Sequence, residues 1–150
     1  MPRQSPAARL DLNVQYALAD KTGLPSRSQL RQWIRAVGNG PGNITVRFVD
    51  EEEGRTLNNS WRAKDYATNV LSFPYETLPV LSGDLVLCWA VVVREAAEQG
   101  KSVEAHCAHL IVHGILHLCG HDHEDAEQAA EMEGIEQDVM AKLGYPDPYQ

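Results

Sequence analysis

Apolar residues alternate with polar ones over residues 9–16 and again over 43–50. This period of two is typical of a strand with one buried face. Two shorter apolar runs, 69–73 and 85–89, predict a third and a fourth strand, the third ended by Pro74 and the fourth preceded by a loop over 79–82 and by Gly83-Asp84. Consecutive apolar residues in 85–89 favour a central place in the sheet for the fourth strand.

Helical periodicity governs the stretches between and after these strands. One helix is predicted from Pro25-Ser26 to the glycines of 38–40, and a short one over 55–64 after a turn at the acidic run 50–53. Another runs from about Val92 to a break at Gly100. The helix from Ser102 to Leu118 is apolar almost all round, which predicts burial. The last helix, over 125–143, is expected to turn six apolar residues inward: Ala129, Met132, Ile135, Val139, Met140 and Leu143.

Strands that precede most of the helices favour an α+β fold, a small mixed four-stranded sheet covered by helices. The buried helix over 102–118 should be its central element. At 150 residues the chain is predicted to form a single domain, 1–150, with residues 1–8 as a loose leader.

The composition of the chain indicates the cellular compartment of the protein. The chain has no apolar run of 18 residues and no apolar core near its first residue, which argues against a membrane span and against export. Its three cysteines are odd in number and lie among apolar residues, so we expect free thiols in a reducing compartment. These features predict a cytoplasmic protein with no membrane partner.

The net charge of −8 argues at first against a nucleic-acid partner. However, residues 1–64 hold ten of the thirteen basic side chains, and residues 65–150 hold fifteen of the twenty-one acidic ones. Such asymmetry allows a local basic surface on an acidic protein. Arg27, Arg31 and Arg35 form a stripe on the first helix, for which solubility is the first interpretation and nucleic-acid contact the second.

All six histidines lie between His106 and His123. His113 and His117 are one helical turn apart, and Gly120 and His123 complete the pattern H-x-x-x-H-x-x-G-x-x-H, the ligand skeleton of the metzincin zinc proteases. Glycine can end the helix in a left-handed conformation and turn the third histidine back towards the first two. Three protein ligands leave a position of the metal open, which favours a catalytic zinc site.

Neighbouring residues leave alternatives open at this site. Cys119 or Asp122 as a fourth ligand would make a closed, structural site, although Cys119 is expected to point away. Asp122 could instead orient a ligand imidazole. We interpret His109 as a core residue rather than a support for a ligand, and His121 as facing outward.

Gly114 stands where the metzincins carry their general-base glutamate. Peptide hydrolysis needs a group that protonates the leaving amine, whereas phosphodiester cleavage can depend more on positive charge around the phosphoryl oxygens. Arg62 and Lys64 could supply that charge, although their segment alone is typical of a surface loop.

Two long motifs together closely resemble the YbeY family of endoribonucleases. They are LNNSWRAKDYATNVLSFP over 57–74 and HGILHLCGHDH over 113–123, with Gly83-Asp84 between them. The resemblance implies a bacterial, metal-dependent endoribonuclease specific for single strands. Such an enzyme would act in ribosomal RNA maturation, especially at the 3′ end of the small-subunit RNA, and in ribosome quality control. The implied zinc ligands are His113, His117 and His123, and the implied catalytic residue is Arg62.

The predicted function is therefore zinc-dependent RNA cleavage, with one Zn²⁺ per chain. Single-stranded ribosomal RNA and the small ribosomal subunit are the expected partners. The RNA would enter between the three histidines and the segment 62–69, where Lys64 and Asn69 are the candidate substrate-binding residues. Two alternatives remain: a metal-dependent hydrolase of another substrate, and a ribosome-associated binding module with structural zinc.

Overall fold

The computed structural model describes residues 9–62, 69–76, 81–121 and 125–150, with residues 59–62 and 74–76 described by their backbone only. Strands and helices follow one another along this part of the chain. They are β1 (Leu10–Ala17), α1 (Arg27–Val37), β2 (Gly42–Val49), α2 (Glu51–Arg62), β3 (Val70–Glu76), β4 (Leu81–Cys88), α3 (Trp89–Glu98), α4 (Val103–Leu118) and α5 (Ala126–Leu143).

The strands form one sheet in the order β1-β2-β4-β3. β1 and β2 are parallel, as are β2 and β4, and β3 runs antiparallel to β4. The predicted α+β fold with a mixed four-stranded sheet is therefore confirmed, and so is the central position of the fourth strand.

The sheet separates two layers of helices. Leu85 and Leu87 of β4 belong to the large hydrophobic core, which also contains buried residues of α1, α4 and α5. Val86 and Cys88, which alternate with them, belong to a smaller cluster against which Leu57 of α2 packs. Because successive side chains of a strand point to opposite faces, α2 and α4 cover opposite faces of the sheet.

The helix α4 lies at the centre of the large core, as its sequence predicts. Ten of its sixteen residues are buried, and it packs against α1, α3, α5, β3 and β4. Ser102 caps it by accepting a hydrogen bond from the backbone N–H of Ala105. A helix held on so many sides is a rigid support for the side chains that it carries.

Two predicted strand boundaries were wrong. The third strand does not end at Pro74 but continues to Glu76, with a register irregularity between these residues. Proline is tolerated there because β3 is an edge strand, where a missing N–H need not break a ladder on both sides. β4 begins at Leu81, so Gly83 and Asp84 lie inside the strand and not before it, and residues 81–82 are not loop.

Two predicted helix starts were also wrong. The acidic run was predicted as a turn, but α2 begins at Glu51 and contains Glu51, Glu52 and Glu53 in its first turn. Acidic side chains stabilise this end of a helix, and the Asp50 carboxylate also accepts a hydrogen bond from the backbone N–H of Glu53 at 2.9 Å. α3 begins at Trp89, three residues before the predicted start. The predicted end of α2 at residue 64 and the predicted leader lie outside the described residues.

All three cysteines are free, as predicted. Within the described ranges, no helix combines the length and the apolar character needed to cross a bilayer.

Candidate metal centre

His113 and His117 lie one turn apart on α4 with their rings nearly perpendicular, at 78°. Their Nε2 atoms are 3.1 Å apart. Two zinc–nitrogen bonds of about 2.0–2.1 Å at a tetrahedral angle would hold two nitrogens roughly 3.3 Å apart. The two imidazoles therefore fit neighbouring positions around a single metal ion.

The chain reverses direction directly after His117. Gly120 adopts the left-handed conformation at φ 97°, as the sequence predicts. Its N–H donates to the carbonyl of His117, and the N–H of His121 donates to the carbonyl of Leu116, both at 3.0 Å. This pair of bonds is the Schellman motif, which ends a helix and redirects the chain.

The third predicted ligand, His123, lies outside the described residues, as does Asp122. Within the described part of the chain, no three His, Cys, Asp or Glu side chains are arranged to hold one ion. The three-histidine site therefore stays a prediction, with two of its members brought together. Cys119 packs against the hydrophobic core, which argues against it as a fourth ligand.

A carboxylate that the sequence interpretation missed lies beside these histidines. Glu136 of α5 is only 1% exposed. It accepts hydrogen bonds from His109 Nε2, from His113 Nδ1 at 3.4 Å, and from the Tyr149 hydroxyl at 2.9 and 3.0 Å from its two oxygens. Burial by itself would raise the pKa of Glu136, but the hydrogen bonds from His109 and His113 outweigh it and lower the pKa to about 2.

The sequence analysis places six apolar residues on the inward face of α5 and does not include Glu136, which the structure buries beside Met132, Val139 and Met140. A signal was present, because Glu136 lies four residues after Met132 and four before Met140, both of which are buried. Position on the helix places Glu136 inward, whereas its charge suggested the solvent face. His109, interpreted as a core residue, has a polar partner in Glu136.

Gly114 faces the sheet. A Cβ at this position would lie 2.8 Å from Leu85 Cδ2 and 3.5 Å from Ser72 Oγ. A glutamate at 114 would therefore enter the packed interface between α4 and the sheet. Glycine lets the helix lie close to the sheet here without displacing Leu85. α4 packs against both β4 and the edge strand β3, so the helix that carries His113 borders an edge of the sheet.

The other predicted site residues are only partly described. Arg62 is the last residue of α2, on the sheet face opposite α4; its side chain and the whole of Lys64 lie outside the described residues. The Asn69 amide donates to Glu95 Oε1 at 3.0 Å, and its oxygen accepts from the N–H of Val70. Asn69 therefore stabilises the fold, and its contact with substrate stays a prediction.

The arginine stripe of α1 also contacts the protein itself. Arg27 and Arg31 donate to the carbonyls of Val14 and Leu10 of β1, at 3.5 and 2.9 Å. Arg35 donates to the carbonyl of Gly40 at 2.9 Å. These contacts give the stripe a structural use, and binding of RNA by it stays a prediction.

Comparison with known proteins shows the family to which the sequence is similar. A protein family described as "Endoribonuclease YbeY" matches residues 20–144. A protein named Endoribonuclease YbeY from Methylobacillus flagellatus is 57% identical over 141 residues, which cover 94% of each chain. Another of that name, from Paraburkholderia phytofirmans, is 54% identical over 153 residues, covering 97% of this chain and 99% of the relative.

The fold has a solved counterpart. A protein of Thermotoga maritima, whose structure was determined in solution, superposes with a TM-score of 0.58 over 93% of this chain and 99% of its own length. The sequences are 24% identical, so this likeness concerns the fold alone.

Proposed function

The chain belongs to the YbeY family of endoribonucleases, and from this premise we propose that it is a zinc-dependent endoribonuclease that cuts single-stranded RNA. Its substrate is ribosomal RNA, with maturation of the 3′ end of the small-subunit RNA and ribosome quality control as its roles. It acts in the cytoplasm as a single catalytic domain. His113, His117 and His123 hold one zinc ion, and Arg62 is the catalytic arginine.

The observation that carries this proposal is the 3.1 Å approach of the Nε2 atoms of His113 and His117. Two imidazoles on one rigid, buried helix are a ready-made pair of ligands. The reversal of the chain at Gly120 supports His123 as the third, because it follows within three residues.

The chemistry divides between metal and protein. Bound zinc would polarise a phosphoryl oxygen and lower the pKa of a coordinated water. The guanidinium of Arg62 offsets the negative charge that builds on the phosphoryl oxygens in the transition state. Lys64 and Asn69 hold the RNA backbone.

The topology supports an approach of Arg62 to the histidines. α2 and α4 cover opposite faces of the sheet, but β3 is an edge strand, so the two faces meet beside it. α4 packs against β3, so the helix that carries the histidines borders this edge. An RNA strand lying along the edge could therefore contact both.

The test is cleavage of a single-stranded RNA with the sequence of the small-subunit 3′ end, with a duplex of the same sequence for comparison. We expect the single strand to be cut, chelation to abolish cutting, and zinc to restore it. Arg62→Ala should lower kcat by about 10²–10³-fold. Arg55→Ala, which removes an exposed arginine from the same helix, is the matched control and should leave the rate unchanged.

Two outcomes would reject the proposal. Cutting that survives both chelation and Arg62→Ala would indicate a contaminating nuclease. A protein that leaves RNA intact and unfolds when chelated would be a binding module with structural zinc.

A further inference from the structure

We infer that Glu136 is a positioning residue: together with Tyr149, it holds His113 as the tautomer with its proton on Nδ1, so that the Nε2 lone pair is directed towards His117. The consequence for metal binding rests on the proposed function. The tautomer itself rests only on contacts among described residues.

Three groups donate hydrogen bonds to the Glu136 carboxylate: His109, His113 and Tyr149. An ionised carboxylate only accepts hydrogen bonds, so each of its three partners must bring a proton. His113 meets Glu136 Oε1 through Nδ1, which must therefore carry the proton. In a neutral imidazole the other nitrogen is then a bare acceptor, and in His113 this is the Nε2 atom that lies 3.1 Å from His117 Nε2.

The carboxylate cannot readily leave this position. Glu136 is 1% exposed, and Met132 and Met140, one turn away on either side, are each 1% exposed in the core. Turning Glu136 away would leave a buried charge without partners, which is strongly unfavourable. The Glu136 carboxylate accepts hydrogen bonds from His109 Nε2 and the Tyr149 hydroxyl as well as from His113. These bonds hold the carboxylate in one position.

Tyr149 belongs to the C-terminal segment, residues 145–150, which is fastened at several points. The Lys101 ammonium donates to the carbonyl of Pro148 at 2.6 Å. Gln137 donates to the Asp147 carboxylate at 3.1 and 3.2 Å, and the Tyr145 hydroxyl donates to Glu104 at 2.6 Å. These bonds fix the hydroxyl of Tyr149 although the residue is 45% exposed.

Tyr149 also packs edge-on against His109, with ring centroids 5.4 Å apart. Tyr149 therefore contacts both the Glu136 carboxylate and His109. The C-terminal segment is thus part of the support of the metal centre, although it supplies no ligand. A ligand imidazole already in the right tautomer binds metal more tightly, and loss of such outer partners typically weakens metal affinity about 10–100-fold.

The experiment combines two measurements on the full chain. Imidazole ¹⁵N NMR of metal-free protein reports which nitrogen of His113 carries the proton. Competition with a chelator gives the zinc dissociation constant. The variants are Glu136→Gln, which keeps the shape and removes the charge, and Tyr149→Phe, which removes one hydroxyl. Tyr145→Phe is the matched control, because it removes a hydroxyl of the same segment that bonds Glu104 instead.

We expect Nδ1–H in the wild-type protein, and a loss of that preference with roughly 10–100-fold weaker zinc binding in Glu136→Gln. Tyr149→Phe should shift both readouts in the same direction by less, and Tyr145→Phe should shift neither. Tyr149→Phe keeps the test decisive if Glu136→Gln fails to fold, which a thermal melt detects.

A proton on Nε2 of His113 in the wild-type protein would overturn the inference. So would wild-type zinc affinity in folded Glu136→Gln and Tyr149→Phe, or an equal loss in Tyr145→Phe, which would indicate general loosening of the segment. If zinc binding of the wild-type protein does not depend on His117, the proposed function fails, and the tautomer of His113 alone decides the inference.

Discussion

A Cβ on Gly114 would lie 2.8 Å from Cδ2 of Leu85, so any larger residue at this position of α4 would force Leu85 of β4 to move. In the sequence, Gly114 occupies the position at which metzincins carry their general-base glutamate. The structure adds a packing reason, since this position faces the sheet and not a solvent-filled cleft.

We predict that Gly114→Ala destabilises the protein by about 1–3 kcal/mol, because the added methyl overpacks the interface. Gly134→Ala is the matched control, since Gly134 also lies inside a helix and a Cβ there would meet nothing within 4 Å. The control should be neutral or stabilising by about 0.5–1 kcal/mol. Urea unfolding of both variants checks this. Equal effects would mean that helix propensity, and not contact with Leu85, governs position 114.

A helix, strand or turn could be predicted from the sequence where a single physical property of its residues determines it. The all-apolar α4 and the glycine turn at Gly120 were predicted because burial and left-handed backbone leave direct marks in the sequence. Pro74 was misinterpreted because the rule that proline ends strands holds for central strands, and edge position is a property of the whole sheet. The sequence predicts a turn at the acidic residues after Asp50, whereas they form the first turn of α2. Acidic side chains stabilise a helix N-terminus only where a helix begins, and the local sequence does not fix that point.

His117→Ala should remove zinc from the purified protein, because it deletes one of the two imidazole nitrogens, of His113 and His117, that lie side by side on α4. His121→Ala serves as the control, since His121 follows the turn glycine and is predicted not to be a ligand. Elemental analysis should give one zinc per chain for the wild-type protein and for the control. Undiminished zinc in His117→Ala would refute the ligand assignment.

Glu95 holds together three elements, and its loss should be costly. Its Oε1 lies 3.0 Å from Asn69 Nδ2, at the start of β3, and 3.0 Å from Nε2 of the buried His106 on α4. Glu95→Ala leaves the His106 nitrogen without this partner, and should cost about 1–3 kcal/mol.

Glu98→Ala, at an exposed position of the same helix, should change the free energy of unfolding by less than about 0.5 kcal/mol. Chemical denaturation of the two variants distinguishes them. Similar small effects would show that the contacts of Glu95 contribute little.

Tyr145 should make the stability depend on pH in the alkaline range. Burial, reinforced by the hydrogen bond to Glu104, raises the pKa of Tyr145 from 10.0 to about 12. The folded state therefore keeps the phenol proton that the unfolded chain releases above pH 10. This contribution is complete below pH 10 and is lost as the pH rises towards 12.

Comparison with Tyr145→Phe isolates this contribution from other titrating groups. The wild-type protein should be more stable by about 1 kcal/mol at pH 8. The difference should shrink between pH 10 and 12. A difference that stays constant up to pH 12 would contradict the assignment.

The candidate site was predictable to a lesser extent than the fold. His113 and His117 follow from local spacing, since i and i+4 meet on any α-helix. Glu136 comes from a helix 23 residues further along the chain, and its approach to His113 depends on how α5 packs on α4. A local pattern contains no information on such a contact, apart from the inward position that Glu136 shares with Met132 and Met140.

The two arginines that donate to β1 have a consequence for association between molecules. A free strand edge presents unpaired carbonyls that can recruit a strand from another chain. Arg27 and Arg31 occupy the carbonyls of Val14 and Leu10 on one edge of the sheet. On the opposite edge, Pro74 in β3 has no N–H to offer. Each border of the sheet therefore offers fewer free backbone groups for strand addition, which disfavours edge-to-edge aggregation of the folded protein.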